Sequence, residues 1–436
     1  MNRQKIKKFS RGGVEVPHKK HLTSDSPIEV LSTPDEVAIP ISQHVGKPAD
    51  PNVEVGDEVV KGECIAQSSE GLCARIHASI GGVVKAIETR PQPAGEAKCI
   101  VIKRQEEKGE EIVKGEGIQK GYPKPDKVRS LVEEAGIVGL GGAGFPTHVK
   151  LKPPEDKEVD TVIVNGGESE PFVTCDQRLL LENSDKVLDG LELIRRTVGA
   201  KRGIVAIETN KPDALKKMQE EIKDWEALEV IPLDDLYPHG AEKKLIEAVL
   251  DREIPRGGLP FDVGVVVNNV QTAVSISEAI RDGKHLTERV LTVSGEVVED
   301  PANLRVPLGT SIKDLIDYCG GLRGEDYRIV MGGPMTGFSV EKEEVPITKK
   351  TSGVIFLPSS EYAEYKTRVC IRCAKCVDAC PVYLAPNRIC DFANNDLYKR
   401  AEEIGIKDCI ECGACAFVCP SKRPLLKWIR EGKASL

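Results

Sequence analysis

Eight cysteines near the carboxyl end of the 436-residue chain form two runs with the same spacing. Each run reads Cys-x-x-Cys-x-x-Cys-x-x-x-Cys-Pro, and the runs begin at Cys370 and Cys409. In proteins that hold two [4Fe–4S] clusters, three closely spaced thiolates bind one cluster and the fourth cysteine reaches the other. The spacing therefore predicts two crossed ligand sets: Cys370, Cys373, Cys376 and Cys419 for one cluster, and Cys380, Cys409, Cys412 and Cys415 for the other.

A pair of zinc sites with four cysteines each is the second interpretation of this spacing. Structural zinc sites need only paired Cys-x-x-Cys motifs, so the third cysteine and the trailing Cys-Pro favour iron–sulfur clusters. The segment RAEEIGIKD between the runs has a helical pattern, which predicts a largely helical cluster domain. The other cysteines are expected to be small buried hydrophobic residues: Cys64, Cys73, Cys99, Cys175, Cys319 and Cys390.

A glycine-rich stretch, GIVGLGGAGFPTHVKL at 136–151, is the second feature that could support chemistry. Gly139, Gly141 and Gly144 have the G-x-G-x-x-G spacing of a turn that binds dinucleotide phosphates. That turn must follow a strand and open a helix, whereas this stretch follows the helical pattern DKVRSLVEEAG. The glycines therefore do not predict a Rossmann dinucleotide turn, and both a surface loop and a loop that contacts another ligand remain open.

Three apolar segments predict the strands of an α/β sheet that would position this loop: DTVIVNGG, RGIVAIET and DVGVVVNN. Helical patterns such as KVLDGLELIRRTVG and AEKKLIEAVLDRE separate them, and a further helix is expected from Asp126 as its N-cap. Strands that alternate with helices at this spacing predict an open α/β domain. In such sheets ligands bind where the strands end, so the polar residues after each strand are candidates for a site.

The other regions predict smaller units, which makes the fold class multidomain α/β plus β. Short β segments resemble a biotinyl or lipoyl β-sandwich, but its hairpin tip SSEG has no lysine to modify. A later strand–helix–strand pattern predicts a small β-grasp-like module, unless it only extends the α/β domain. The expected boundaries are 1–37 for an extension, 38–104 for the sandwich, 126–285 for the α/β domain, 286–345 for the small module, 362–436 for the two-cluster ferredoxin domain, and 105–125 and 346–361 for linkers.

Composition excludes several classes of function. The formal net charge is −8, and the 61 basic residues are spread along the chain, so no basic stripe indicates nucleic-acid binding. No run of about 18 apolar residues predicts a membrane span, and the N-terminus lacks the apolar stretch of a secretion signal. Clustered cysteines in a chain of this length favour metal binding over disulfides and predict a cytoplasmic location.

Polar clusters follow the predicted strands of the α/β domain. They are NGGESEP at 165–171, YPHGAEK at 237–243 and VNNVQT at 267–272. Together with GGAGFPTHVKL, they resemble the flavin- and NADH-binding subunit of respiratory complex I. With a β-sandwich in front and two cysteine runs behind, the whole order is similar to the RnfC family, the peripheral subunits of the Rnf ion-translocating ferredoxin:NAD⁺ oxidoreductase. This resemblance covers nearly the full chain.

The resemblance implies a Rossmann-like domain that binds FMN, with NAD(H) as substrate. Backbone N–H groups of the loop glycines would approach the flavin, a lysine would neutralise its phosphate, and polar side chains would contact the rest of it. The implied cofactor-binding residues are Gly139, Gly141, Gly142, Lys150, Asn165, Glu168, Tyr237, Gly240, Asn268, Asn269 and Thr272.

The resemblance also implies contacts to the nicotinamide nucleotide. Phe145 and Phe261 would stack on it, and Glu170 and Glu242 would bind its hydroxyl groups, which places Phe145, Glu170 and Glu242 nearest the reaction. Three departures bear on these contacts. Leu140 stands where complex I has an arginine, Ala241 replaces a second glutamate, and the segment RGGL at 256–259 lacks a lysine.

The implied function is peripheral electron transfer on the cytoplasmic side of the cell membrane. A flavin can exchange a hydride, which carries two electrons, and also single electrons, so it belongs between NAD(H) and the clusters. Integral membrane subunits and ferredoxin-like subunits of the same complex are the implied partners, and ion pumping would belong to them. Two alternatives are a flavin and iron–sulfur cobalamin reductase of a bacterial microcompartment, which lacks the leading sandwich, and a non-catalytic scaffold that carries clusters.

Overall fold

The computed structural model of the chain describes residues 6–8, 11–93, 95–105, 111–360 and 367–436. The strands are β1 (Ile28–Val30), β2 (Glu36–Pro40), β3 (Asp50–Pro51), β4 (Glu58–Val59), β5 (Cys64–Gln67), β6 (Ile76–His77), β7 (Gly82–Gln92), β8 (Gly95–Arg104), β9 (Thr161–Gly166), β10 (Arg202–Glu208), β11 (Leu228–Leu233), β12 (Val265–Asn269), β13 (Glu288–Gly295), β14 (Ala302–Pro307), β15 (Tyr327–Met331), β16 (Phe338–Val340) and β17 (Gly353–Pro358). The α-helices are α1 (Pro125–Glu134), α2 (Thr147–Lys150), α3 (Cys175–Glu182), α4 (Ser184–Val198), α5 (Pro212–Glu221), α6 (Glu242–Leu250), α7 (Val270–Asp282), α8 (Ile312–Tyr318), α9 (Lys375–Asp378), α10 (Pro386–Ala393), α11 (Tyr398–Glu403), α12 (Ala414–Phe417) and α13 (Leu425–Ala434).

The α/β domain is built on a four-stranded parallel sheet with the order β11-β10-β9-β12. Both faces of this sheet are covered, since Val162 and Val164 of β9 pack into one hydrophobic core and Ile163 packs into another. Continuous apolar strands of this kind are typical of parallel sheets buried on both sides. The three predicted segments form β9, β10 and β12, whereas β11 was not predicted. It contains Pro232 and lies at the edge of the sheet, where proline is tolerated.

The predicted N-cap of the first helix is wrong. Helix α1 begins at Pro125, and its N-cap is Lys124, which makes no side-chain capping hydrogen bond. Proline is favoured at the first helical position because its fixed φ suits the helix and its missing N–H would have no partner there. Asp126 therefore lies inside the first turn, where its carboxylate accepts a hydrogen bond from Arg129 (2.5 Å).

Two small sheets form the β-sandwich that precedes the α/β domain. One has the order β2-β8-β7-β4 and the other the order β3-β5-β6, and all their pairings are antiparallel. Their shared core contains Ile39 and Ile100 from the first sheet and Ile65 and Ile76 from the second. The short segments and turns of the sequence are thus explained by two layers around one apolar centre.

A six-stranded sheet, with the order β1-β14-β13-β17-β15-β16, forms the third unit. Strand β17 pairs in parallel with β13 and antiparallel with β15, although it lies inside the expected linker at 346–361. Strand β1 pairs with β14, although it lies inside the expected extension at 1–37. The partners of both strands are distant in sequence. The local sequence pattern therefore did not predict that β1 and β17 belong to this sheet.

The N-terminal segment connects the α/β domain to the cysteine-rich domain. Val14 and Tyr237 exchange two backbone hydrogen bonds (2.8 and 3.0 Å), and Gly13 donates to the carbonyl of Ala379 (3.1 Å). Val14 and Val16 pack with Tyr237, Ala379 and Ala414 in a small hydrophobic core. This segment therefore holds the two domains against each other.

Short helices, α9 to α13, form the cysteine-rich domain, in agreement with the helical pattern. Its core is built from Ile389, Cys390, Leu425 and Ile429, so Cys390 is a buried apolar residue as expected. Within the described ranges of the chain, every helix is too short or too polar to cross a bilayer.

Candidate functional site

A cavity of about 540 Å³ opens at the carboxyl ends of β9 and β12, which is where open α/β sheets bind ligands. Its volume lies within the range of cofactor sites, about 300–1,000 Å³. The predicted residues that line it are Gly139, Gly141, Lys150, Asn165, Glu168, Glu170, Tyr237, Gly240, Glu242, Asn268 and Asn269. Four predicted residues lie outside its lining: Gly142, Phe145, Phe261 and Thr272.

The glycine loop between α1 and α2 forms one wall of this cavity. The loop is closed by two hydrogen bonds of 2.9 Å, from Gly139 N–H to the Phe145 carbonyl and from Gly144 N–H to the Gly139 carbonyl. A β-carbon at Gly141 would lie 3.1 Å from the β-carbon of Asn269, so a side chain there would press on the opposite wall. The absence of side chains leaves the loop backbone open to the cavity, which is the close approach a ligand needs.

Thr272 positions the glycine loop and does not contact the cavity. Its hydroxyl accepts a hydrogen bond from the backbone N–H of Leu140 (3.0 Å), and its side chain is fully buried in α7. The predicted contact of Thr272 with a cofactor stays a prediction, and the structure shows the hydroxyl bonded to the loop backbone. A buried hydroxyl needs a partner, and here the loop backbone supplies it.

Asn165 joins the two loops at the base of the cavity. Its amide nitrogen donates to the Gly240 carbonyl (2.8 Å), and its amide oxygen accepts from Gly167 N–H (3.0 Å). The loops approach so closely that a β-carbon at Gly240 would lie 1.9 Å from the Gly167 carbonyl oxygen. Glycine at position 240 is thus required by the approach of the two backbones.

Asn268 presents an unpartnered polar group to the cavity. It is 4% exposed, and its amide nitrogen has no hydrogen-bond partner among the described residues. Neighbouring Asn269 is satisfied instead, because it caps α7 through Gln271 N–H (2.9 Å) and donates to Asp176 (2.6 Å). A buried donor without a partner is costly, so Asn268 fits a bound ligand that supplies an acceptor.

A carboxylate pair, with Glu168 buried and Asp176 half-buried, lies on the same wall. Oxygens of Glu168 and Asp176 are within 4.8 Å of each other, and Glu168 also accepts from Asp176 N–H (2.8 Å). Burial, and then the charge of Glu168, raises the pKa of the Asp176 carboxyl to about 7. Lys20 from the N-terminal segment lies 4.0 Å from Glu168 and is also buried, and burial lowers its pKa to about 8.

Glu170 lines the cavity, but its carboxylate is already occupied. It accepts hydrogen bonds from the backbone N–H groups of Met335 and Thr336 (2.9 Å each) and from the Thr336 hydroxyl. These residues belong to the turn between β15 and β16 of the six-stranded sheet. The carboxylate of Glu170 therefore joins two domains, and its predicted contact with nucleotide hydroxyl groups stays a prediction.

Lys150 and Glu242 face each other across the cavity rim with a distance of 2.9 Å between Nζ and Oε2. Both side chains are half-buried, at 29% and 38% exposure. The predicted phosphate-binding lysine and the predicted hydroxyl-binding glutamate thus form one ion pair at the entrance. An anionic ligand group at Lys150 would have to compete with Glu242.

The two predicted stacking residues lie away from the cavity. Phe145 is half-buried, and its carbonyl closes the glycine loop. Phe261 lies in the 3₁₀ helix Pro260–Val263, which precedes β12, and it packs against the main core. Parallel strands place the residues that precede them at the amino edge of the sheet, so Phe261 lies at the edge opposite the cavity.

The cysteine side chains form two groups in the helical domain. Burial raises the pKa of the Cys412 thiol, and the nearby thiols of Cys409 and Cys380 add to the shift. Burial also raises the pKa of Cys415, whose neighbours include Cys409, Cys412 and Cys380. We call Cys380, Cys409, Cys412 and Cys415 the proximal set.

The remaining four cysteines form a second group that is more open to solvent. Burial raises the pKa of the Cys376 thiol, and Cys419 and Cys370 add to the shift, while Cys373 is exposed on the same loop. We call Cys370, Cys373, Cys376 and Cys419 the distal set. The structure thus brings the last cysteine of each run to the other run, as crossed ligand sets require.

The two kinds of metal site that the cysteine spacing allows differ in the distances between their sulfur atoms. Among the described residues, no three sulfurs of either set lie within 4.8 Å of one another. A tetrahedral zinc ion with Zn–S bonds of about 2.3 Å would hold its sulfurs about 3.8 Å apart. In a cluster each thiolate binds a different iron atom, so a cluster does not require its sulfurs to lie that close together.

The proximal set and the cavity share a wall. Cys412 and Ile410 line the cavity, and the Tyr237 hydroxyl donates a hydrogen bond to the Cys412 carbonyl (2.6 Å). Tyr237 is 2% exposed, and burial raises the pKa of its phenol far above the usual value, so this hydroxyl stays protonated. A cofactor in the cavity and a cluster on the proximal set would therefore be direct neighbours.

Comparisons with known proteins match each unit of this architecture. The model of the RnfC barrel sandwich hybrid domain matches residues 8–107, and that of the Nuo51 FMN-binding domain matches residues 132–278. An SLBB domain matches residues 290–339, and a 4Fe-4S dicluster domain matches residues 363–420.

Curated relatives extend over nearly the whole chain. The C subunit of the proton-translocating ferredoxin:NAD(+) oxidoreductase complex of Clostridium ljungdahlii is 43% identical, covering 98% of this chain and 93% of its own. The C subunit of the Na(+)-translocating complex of Acetobacterium woodii is 38% identical, with 98% and 96% covered. The chain belongs to the RnfC family. A further RnfC-type relative, the C subunit of the ion-translocating oxidoreductase complex of Rhodobacter capsulatus, is 39% identical over 87% of this chain and 74% of its own.

One solved structure also resembles this RnfC family member. It is the NAD+-reducing [NiFe]-hydrogenase in the air-oxidized state, at 22% identity and a TM-score of 0.49, covering 64% of this chain and 54% of that chain.

Several residues of the site were not predicted from the sequence. They are Asp176, Thr336, Ser352 and Ile410 on the cavity wall, and Lys20 behind it, whereas Gly167, Ser169 and Lys243 lie within the predicted polar clusters. Asp176 follows the NGGESEP cluster closely and could have been found as an acidic residue at the start of a helix. Thr336, Ser352 and Ile410 come from other domains, and no local signal places them at this sheet.

Proposed function

We propose that the chain is the electron-transfer subunit that connects NAD(H) to the other subunits of a membrane-bound, ion-translocating ferredoxin:NAD⁺ oxidoreductase. The observation that carries this proposal is the wall shared by the cavity and the proximal set. Tyr237 contributes to this wall and donates to the carbonyl of the cluster ligand Cys412. Such a wall suits a two-electron centre placed next to a one-electron centre.

FMN is the cofactor that suits the cavity. The glycine loop leaves its backbone open for the flavin, and Asn268 offers the donor that lacks a partner. Lys150 and the neighbouring Lys243 supply positive charge at the rim for a phosphate. When bound, FMN supplies the conversion between hydride transfer with NAD(H) and single-electron exchange with [4Fe–4S] clusters.

The chain's own residues control the protons and the water at this site. Asp176, with a pKa of about 7, can hold a proton on its carboxyl group at neutral pH, on the wall of the cavity. Tyr237 and the turn at 333–337 close the side that faces the cluster domain, which keeps water out of that wall. Glu170 fixes this turn and so maintains the contact between the domains.

The family places the chain in a complex with other subunits. We assign integral membrane and ferredoxin-like subunits as its partners, and the cytoplasmic side of the membrane as its location. For the finer fold, we assign a lipoyl-like sandwich, a Rossmann-like flavin domain and a β-grasp-like SLBB module. The eight cysteines are the proposed ligands of two [4Fe–4S] clusters.

Cofactor analysis tests the proposal directly. Purified protein, reconstituted with iron and sulfide without oxygen, should bind one FMN, and NADH should bleach its absorbance. Intact clusters without bound flavin would contradict the proposal and favour a scaffold that carries clusters only.

A pair of asparagine variants sharpens this test. Asn268→Leu should weaken FMN binding by about tenfold, because a hydrogen bond of roughly 1.4 kcal/mol is lost, while the stability of the flavin-free protein should not fall. Asn303→Leu is the matched control. Asn303 is also buried, but it donates to the Thr23 carbonyl (2.8 Å) and accepts from Thr292 (2.8 Å), so its loss should destabilise the protein. Equal destabilisation by both variants would show that Asn268 has a structural partner and is not held for a ligand.

A further inference from the structure

The surface around the distal set has an unusual combination of exposed apolar and cationic side chains. Val369 and Ile371, which flank Cys370, are 87% and 67% exposed, and Cys373 is exposed beside them. These large apolar side chains are therefore open to solvent on both sides of Cys370, a proposed cluster ligand. Contiguous exposed apolar area of this kind marks interaction sites.

Positive charge surrounds this apolar centre. Among the described residues, the guanidinium groups of Arg368, Arg372 and Arg388 have no carboxylate partner, while Arg423 pairs with Asp391 (2.7 Å) and lies over Trp428. A hollow of about 760 Å³ runs between these arginines and Cys370. The basic residues of the described loops around the distal set are Arg368, Arg372, Lys375, Arg388, Lys422 and Arg423, against the acidic Asp378 and Asp391.

The loop that carries these side chains is held in place by hydrogen bonds. Arg368 N–H donates to the Ser421 carbonyl (3.0 Å), and the Ser421 hydroxyl donates to the Val369 carbonyl (3.1 Å). Arg372 has a φ of 57°, and its N–H points to the Cys370 sulfur (3.4 Å). The same contacts that shape the cluster loop therefore fix the outward direction of Val369, Ile371 and Arg372, which reduces the entropy lost on docking.

We infer that this cationic surface, defined by Arg368, Val369, Ile371, Arg372 and Arg388, docks an acidic redox protein that brings its own redox centre against the distal set. The inference rests on the proposed function and names the kind of partner that would exchange electrons with the distal set. Cys412 of the proximal set lines the cavity, whereas Cys373 of the distal set is exposed, so the distal set is the one that a partner can reach.

The side-chain chemistry favours a protein over a lipid surface. Arginine is the main cation, and its planar guanidinium matches carboxylates in pairs of hydrogen bonds. Arginine around an apolar centre is also the composition of protein–protein hot spots, whose rim is polar. Complementary charge makes such docking fast and sensitive to salt.

A charge-reversal variant tests the inference. Full-length protein with reconstituted clusters is bound to membranes that contain the other subunits of the complex but lack this chain. The triple variant Arg368→Glu, Arg372→Glu and Arg388→Glu should bind at least about tenfold more weakly than the wild type, and wild-type binding should weaken as salt rises. The matched control is Lys98→Glu, Lys120→Glu and Lys216→Glu, which makes the same charge change at exposed positions elsewhere and should bind as the wild type does.

Further controls distinguish loss of the docking surface from damage to the clusters and from binding to lipid. Iron content and cluster absorbance of the triple variant must equal those of the wild type. A second variant, Val369→Ser with Ile371→Ser, removes the apolar side chains and leaves the charges intact. It should also weaken binding. Protein-free vesicles with an anionic phospholipid should not capture the wild type. Equal binding to vesicles and membranes, or equal binding by the triple variant and its control, would overturn the inference.

The inference and the proposed function can fail separately. Protein that lacks flavin but docks through these arginines would contradict the function and leave the docking surface supported. Protein that binds FMN and reacts with NADH, but whose triple variant still docks, would contradict the docking surface alone.

Discussion

The two cysteine sets have the same sequence spacing, but their surroundings differ in burial and in charge. Cys412 of the proximal set is covered by Tyr237 and by the N-terminal segment, and it shares the cavity wall with the buried acids. Cys373 of the distal set is exposed, and arginines surround its loop. Cysteine spacing therefore predicts the same kind of cluster for both sets, while the packing around each set determines which groups can approach it.

In the proposed electron-transfer route, this difference separates an inner end at the proximal set from an outer end at the distal set. The inner end needs a dry contact with one permanent neighbour, and buried side chains from three parts of the chain provide it. The outer end needs repeated contact with a separate protein, and an exposed rigid loop suits that requirement. Variants that affect one end and not the other can test the comparison.

The largest expected effect is at the buried end. Cys412→Ala should remove one cluster and destabilise the protein by more than about 4 kcal/mol, because loss of a metal site is combined with loss of packing against Tyr237. Cys373→Ala should also remove half of the iron but leave flavin binding intact. Iron, sulfide and flavin analysis measures the cofactor content of the two variants, and urea unfolding measures their stability. Equal loss of flavin from the two variants would contradict the comparison.

A pH effect of a few kcal/mol is expected from the buried acids. The pKa of Asp176 rises from 3.8 in the unfolded chain to about 7 in the folded one, so the folded state binds more protons between these values. Stability of the flavin-free protein should therefore fall as pH rises from about 4 to about 7. The groups that act on the same carboxyl group, which remain unchanged in the test, are Lys211, Arg289, Glu168, Cys175 and Asn269.

Asp176→Asn should remove most of this decline, which urea unfolding across that pH range can measure. The control is Asp378→Asn at the exposed end, where stability should change by no more than about 0.5 kcal/mol. An unchanged pH profile in Asp176→Asn would show that this carboxyl group does not hold the proton.

The hydrogen bond from the Tyr237 hydroxyl to the Cys412 carbonyl should contribute about 1–2 kcal/mol to the free energy of unfolding. Tyr237→Phe removes only the hydroxyl that donates to the Cys412 carbonyl and leaves that buried acceptor without this partner. Tyr398→Phe removes an exposed hydroxyl that donates to Asp396 and should change stability by less than about 0.5 kcal/mol. Denaturant unfolding midpoints measure the stability that each variant loses. Equal losses would show that the hydrogen bond from Tyr237 to Cys412 stabilises the protein no more than an exposed one does.

The smallest expected effect is at the exposed end. Val369→Ser with Ile371→Ser should change stability by less than about 0.5 kcal/mol, because both side chains already face water. The iron content should not change. A large loss of stability would show that these side chains are structural and would remove the reason to treat the surface as a docking site.

Local sequence was enough to predict the elements whose signal lies within a few residues. Cysteine spacing predicted the crossed sets, apolar runs predicted β9, β10 and β12, and polar clusters after strands pointed to most of the cavity lining. These features depend on spacing and on hydrophobic pattern, which a single segment carries in full.

Pairings between distant segments were not predictable in this way. Strand β17 fell in an expected linker because its partners β13 and β15 lie elsewhere in the sequence. Glu170 was expected at the nucleotide, whereas the structure gives both of its oxygens to the turn at 333–337. Phe261 was placed by resemblance at a ligand, but the polarity of the parallel sheet puts it at the opposite edge. The differences at β17 and Glu170 arise where a segment distant in sequence supplies the partner.

The N-terminal segment has a consequence for the order of synthesis. Gly13 and Val14 bind Tyr237 and Ala379, yet at translation rates of about 5–20 residues per second they emerge roughly 20 to 70 s before Ala379 does. The pairing of Val14 with Tyr237 can form once Tyr237 has emerged, whereas the contact of Gly13 with Ala379 must wait for the end of that interval. All four cysteines of the proximal set follow Ala379 in the sequence, so the half of this clasp that touches the α/β domain can be in place before the first proximal cysteine is made.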